Sequence, residues 1–111
     1  MSIVIYVFDI DGTICSATDG RKDYRDALPF EERIDKVNSL YEVGHTIIYY
    51  TARGMGRTHN NVLEAYKLFY SFTKTQLKEW GANHHDLFMG KPSAGIYVDE
   101  KGMKDEQFFT D

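Results

Sequence analysis

Residues 3–13 read Ile3-Val4-Ile5-Tyr6-Val7-Phe8-Asp9-Ile10-Asp11-Gly12-Thr13. Residues 3–8 form an unbroken run of β-branched and aromatic side chains. The run is too short for a typical helix and is patterned like a strand buried on both faces, as in parallel sheets. Asp9 and Asp11 follow directly. Side chains two apart on an extended segment point the same way. Two like charges therefore face one place where a buried strand surfaces.

Beyond that strand, residues 15–27 are polar and aperiodic, and the stretch of about 15–28 reads as a loop or small flap. Pro29 suits a first helical position, with Glu31 and Glu32 in the opening turn. Ile34, Val37, Leu40 and Tyr41 make one apolar stripe, and Gly44 stops the helix. Residues 46–50 are a second buried strand, and residues 52–59 a glycine-bearing loop. A longer helix runs from about residue 60 to 80. Val62, Tyr66, Phe69, Thr73, Leu77 and Trp80 recur along it at steps of three and four, a core-facing stripe rather than a cofactor box. Residues 87–89 and 95–98 read as two more short strands, and residues 103–111 as a last helical turn or a frayed end. The order strand, helix, strand, helix, strand, strand implies right-handed crossovers. The expected fold is α/β, a single domain over 1–111, with a doubly wound, Rossmann-like, mostly parallel sheet carrying helices on both faces.

The 111 residues suit one domain, and 42% hydrophobic residues can fill its core. No stretch approaches the ~20 apolar residues of a membrane helix. The apolar run at residues 3–8 has no basic flank, so no signal peptide is expected there. The lone Cys15 fits a reducing cytosol and excludes an internal disulfide. A formal charge of −4 with no basic run argues against a nucleic-acid partner.

In parallel α/β sheets, ligands bind outside the carboxyl ends of the strands. There the sequence places Asp9, Asp11, Gly12 and Thr13, then Thr51 and Arg53, then Lys91, then Asp99 and Glu100. Converging carboxylates need a cation, and Mg²⁺ is the usual choice where phosphate oxygens complete its shell. Lys91 adds a second positive charge, Thr51 a hydroxyl. Gly12 would let main-chain amides approach an anion, with Thr13 beside it. One carboxylate can attack phosphorus while a second moves protons.

Each of these residues also has a plainer reading. Asp-x-Asp-Gly occurs in ordinary turns, Thr51 suits a strand by its β-branch alone, and Arg53 serves equally as a substrate ligand or as the partner of a surface acid. Arg21, Lys22, Tyr24 and Arg25 in the flap could hold an anionic group, but a solvated loop is the simpler reading. His84 and His85 are adjacent and do not suit one metal ion. Cys15 lacks an evident base and reads as a quiet thiol.

The stretches FDIDGT (8–13), TARG (51–54), GKP (90–92) and YVDE (97–100) resemble the four motifs of the haloacid dehalogenase-like phosphohydrolases, in the family's order. The resemblance implies a phosphatase with Asp9 as nucleophile and Asp11 as general acid/base. It implies that Thr51 binds the phosphoryl group, that Lys91 neutralises it, and that Mg²⁺ is held by Asp9, Asp11 and Asp99, with Glu100 where relatives often have aspartate. Gly12, Thr13 and Arg53 would contact the substrate. The gaps between motifs leave no room for a cap domain, which resembles the capless phosphatases of bacterial sugar-acid and capsule synthesis. That branch implies a small phosphorylated metabolite as substrate and a homo-oligomer, often a tetramer. Competing readings are a phosphatase of nucleotide or polynucleotide ends, a receiver-like phosphoaspartate signalling domain, and a degenerate, non-catalytic relative.

Overall fold

The computed structural model describes residues 2–18 and 23–110. Among them, β1 (Ile5–Phe8), β2 (Thr46–Thr51) and β3 (Asp86–Met89) form one parallel sheet in the order β1-β2-β3. Phe8 pairs with Tyr49, and Thr51 with Met89, so the three carboxyl ends open on one rim. The helices are α1 (Glu31–Glu42), α2 (Val62–Glu79) and the single-turn α3 (Asp105–Phe108). A three-stranded parallel α/β sheet flanked by helices is thus established, and it fits a Rossmann-like arrangement.

The sheet has one covered face and one open face. Phe8, Ile47, Tyr49, Thr51, Leu87 and Met89 are buried, while their neighbours Val7, Ile48, Tyr50 and Phe88 are half-buried or exposed. Ile34 and Val37 of α1 and Leu77 of α2 join one core with Phe8, Ile47, Tyr49 and Leu87, and Phe108 packs on Phe8 with ring centroids 5.3 Å apart. The helices therefore lie on one face, not on two as the sequence suggested. The reason is topological. Each right-handed crossover steps the same way across the sheet, from β1 to β2 to β3, so each helix lands on the same side.

Local chemistry explains the element ends. The Asn61 side chain caps α2 by accepting the Glu64 N–H at 3.1 Å. Gly44 and Gly81 end α1 and α2 at φ 104° and 68°, the left-handed conformation that glycine adopts without strain. Pro29 is not the first residue of α1; it forms a bridge with Cys15, and Phe30 is the N-cap. The flap contains a 3₁₀ turn over Tyr24–Asp26, closed by a capping box between Asp23 and Asp26.

Residues 95–98 do not form the fourth strand the sequence suggested. Ile96 and Val98 are 81% and 91% exposed, while the Tyr97 ring turns back over the Lys91 ammonium at 4.4 Å. β-propensity alone does not make a strand, because it reflects packing against neighbours as much as backbone preference. No described helix is long and apolar enough to cross a membrane.

Candidate active site

Asp9 leaves the end of β1 with its side chain one-third exposed, and Lys91, just past β3, brings Nζ to 3.9 Å of its Oδ1. Burial raises the Asp9 pKa above the usual carboxylate value, against the opposing pull of Lys91 and of the Ile10 main-chain N–H. Asp9 thus sits where a charged carboxylate loses hydration, with the Lys91 ammonium beside it.

Asp11, two residues on, is held differently. Arg53 Nε donates to its Oδ2 and Nη2 to its Oδ1, both at 2.9 Å. The Arg53 side chain is 0% exposed. Its Nη1 donates to Gln76 Oε1 at 2.7 Å and to Thr73 Oγ1 at 3.2 Å, both on α2. The Tyr24 ring lies over the guanidinium at 4.7 Å. Arg53 is therefore not a free substrate ligand; it is the buried partner of Asp11. Thr73 and Gln76 are site residues that the sequence reading missed as such. Their signal was polarity at core-facing positions of α2.

The loop after Asp11 is tied down by its own backbone. Gly12 N–H donates to Cys15 O at 2.9 Å, Thr13 N–H to Ile10 O at 3.0 Å and Ile14 N–H to Ile10 O at 2.9 Å. The amides of Gly12 and Thr13 are thus engaged inside the turn, which removes the anion-cradling role expected of Gly12 and leaves Thr13 without a main-chain donor for substrate. Gly12 still serves the turn, at φ 80°. Arg33 Nη1 anchors the same loop through Thr13 O at 3.0 Å and joins it to Asp105 of α3 at 2.8 Å.

Thr51 is 1% exposed. Its hydroxyl oxygen accepts the Arg53 main-chain N–H at 3.1 Å, and its carbonyl accepts the Lys91 N–H at 3.2 Å. Thr51 thereby ties the Arg53 loop and the Lys91 loop to the end of β2. A second tie joins the loops directly: Asn60 Oδ1 accepts the Ser93 N–H at 2.9 Å. His59 and Asn60 hold φ of 54° and 62°, a conformation uncommon for residues with a side chain.

Asp99 and Glu100 do not join the cluster. Asp99 Oδ1 accepts the N–H groups of Lys101 and Gly102 at 2.6 Å each, and both acids are exposed. Among the described residues, no three of His, Cys, Asp and Glu converge as a metal cage. The cause is the segment before them, which does not add to the sheet beside β1.

In the flap, Arg21 and Lys22 lie outside the described residues. Tyr24 does not face an anion; its hydroxyl accepts the Gly54 N–H at 3.1 Å, its carbonyl accepts from Gln76 Nε2 at 2.9 Å, and its ring meets Phe69 edge-on at 4.9 Å. Arg25 pairs with Asp23 at the surface. Cys15 is buried, its thiol donating to Asp11 Oδ1 at 3.5 Å and pushed up to about 12 by burial first and by Asp11 second. It is a quiet thiol. His85 Nδ1 accepts the Ile47 N–H at 3.0 Å, a structural role.

No family model and no curated protein matches the chain. Among solved structures it is similar to a crystal structure of a structural-genomics target from Vibrio cholerae, at a TM-score of 0.85 and 25% sequence identity, over 96% of this chain and 87% of that one. The two chains share a fold over nearly their whole lengths.

Proposed function

We propose that the chain is a capless, Mg²⁺-dependent phosphatase of the haloacid dehalogenase-like kind, acting on a small phosphorylated metabolite such as a sugar or sugar-acid phosphate. The observation that carries this reading is the rim of the sheet. There a partly exposed, poorly hydrated carboxylate, Asp9, sits beside a lysine at 3.9 Å, and a second carboxylate two residues on is clamped by a buried arginine.

In this reading Asp9 attacks the phosphorus and forms an acyl phosphate as the bond to the leaving oxygen breaks. Asp11 gives that oxygen a proton. It then takes a proton from the water that attacks phosphorus as the bond to Asp9 breaks, releasing inorganic phosphate and restoring both side chains. Lys91, 3.9 Å from Asp9, offsets charge on the transferred group in this reading.

The donor set fits Mg²⁺, which is commonly held by one or two carboxylates together with substrate phosphate oxygens. Asp9 would hold it through its carboxylate. Asp11, whose carboxylate oxygens both lie on Arg53, would contribute its main-chain carbonyl, as the resemblance implies. Asp99 and Glu100 stand outside the set. Bound Mg²⁺ would supply charge neutralisation on the phosphoryl oxygens. The expected homo-oligomer is part of the same reading; sedimentation of the full chain tests it.

The test of the activity is phosphate release from sugar phosphates, sugar-acid phosphates, nucleotides and 3′-phosphorylated oligonucleotides, with Mg²⁺ and with EDTA. The proposal requires metal-dependent release from at least one metabolite group. Preference for oligonucleotides with a steep salt slope would move the assignment to polynucleotide ends.

A further inference from the structure

Arg53 is the most completely buried charge among the described residues, and it is spent on one neighbour. Its side chain is 0% exposed and makes four side-chain hydrogen bonds, two of them to Asp11. A buried ion pair is weak evidence for stability, since desolvation offsets much of the attraction. What a planar guanidinium does supply is geometry: two parallel N–H groups fix the plane of a carboxylate, which an ammonium cannot do.

The rest of the network fixes the guanidinium in turn. Gln76 and Thr73 hold its far nitrogen, and the Tyr24 ring lies over its face at 4.7 Å. Gln76 also holds the Tyr24 carbonyl at 2.9 Å, and Gly54, next to Arg53, donates to the Tyr24 hydroxyl at 3.1 Å. The chain from α2 through Arg53 to Asp11 is continuous, and the Tyr24 ring covers it.

We infer that Arg53 is a positioning residue: braced by Gln76, Thr73 and Tyr24, it sets the orientation from which Asp11 passes its proton to the leaving oxygen. The inference rests on the phosphatase reading. It assigns to Arg53 no contact with substrate. Its consequence is selective. In the step that phosphorylates Asp9, loss of the fork harms esters whose leaving oxygen needs a proton and spares esters whose leaving group departs as a stable anion.

The test compares a primary alkyl phosphate with 4-nitrophenyl phosphate, in Mg²⁺, for the wild type and Arg53→Lys. Positioning predicts about a 100-fold fall in kcat/KM, which reports the step that phosphorylates Asp9, on the alkyl ester and less than about 5-fold on the nitrophenyl ester. Equal losses on the two esters, or no loss on either, in a folded Arg53→Lys protein overturn the inference and leave the phosphatase reading standing. Absence of release by the wild type from these two esters and from every metabolite ester named above overturns the phosphatase reading, and this inference with it. Should Arg53→Lys fail to fold, Gln76→Leu decides. It leaves the fork in place but removes a brace, and a selective loss of about 10-fold on the alkyl ester is expected. An unselective loss in Gln76→Leu overturns the inference.

Discussion

Lys91 reaches to 3.9 Å of Asp9 although their strands are not neighbours, since β2 lies between β1 and β3. The contact depends on loops that converge over the end of β2. Thr51 O holds the Lys91 N–H, and Asn60 holds Ser93.

If Lys91 offsets charge on a transferred phosphoryl group, Lys91→Met should lower kcat/KM by about 10²–10³-fold, with Lys91→Arg losing less. Steady-state kinetics on whichever phosphate ester proves best would read this. A Lys91→Met protein as active as the wild type would remove the residue from the site.

Asp9 should cost the fold stability at neutral pH. Burial raises its pKa in the folded state above the unfolded value. The folded chain therefore binds more protons than the unfolded chain between those two values. The contribution from this group is fully present below the ordinary carboxylate range and is lost as pH rises through the raised pKa. In EDTA at neutral pH, Asp9→Asn should melt above the wild type, and the gap should close as pH falls through the carboxylate range. A gap of the same size at acid pH would contradict this account of Asp9.

The Asn60 tether predicts an order of stabilities. Asn60→Ala loses the bond to Ser93 and places a less tolerant residue at φ 62°, for about 1–2 kcal/mol in urea unfolding. Asn60→Gly loses the bond but relaxes the backbone, so it should fall between alanine and wild type.

Gly54 is a tighter constraint. At φ 79°, a Cβ there would stand 2.7 Å from Phe69 Cδ2 and 3.3 Å from the Ala65 Cα. Gly54→Ala should destabilise by about 2–4 kcal/mol, through overpacking and the left-handed backbone. It should also loosen Tyr24, whose hydroxyl takes the Gly54 N–H. Loss of protection at that amide in hydrogen exchange would report it.

What the sequence made legible was local. The runs at 5–8, 46–51 and 86–89 are strands, and the stripes Ile34–Val37 and Phe69–Thr73–Leu77 face the core because periodicity is written in the residues themselves. The one-sided placement of the helices was not legible, since it follows from strand order, which no local pattern records. The 95–98 run misled because its β-branched and aromatic composition carries no information about a partner edge. Arg53 misled in the other direction: a charged residue is exposed by default, and its burial depends on Asp11, Thr73 and Gln76 meeting from three parts of the chain. That Asp9 and Lys91 share one rim was readable from both residues falling at strand ends, whereas their approach to 3.9 Å depends on loop contacts that no local pattern records.

The most direct test of the central claim is rapid acid quench of the wild type during turnover, with mass spectrometry of its peptides. The account predicts a hydroxylamine-labile phosphate on the peptide bearing Asp9, absent from Asp9→Asn together with turnover. Turnover that persists in Asp9→Asn, or phosphate carried on another residue, would contradict it.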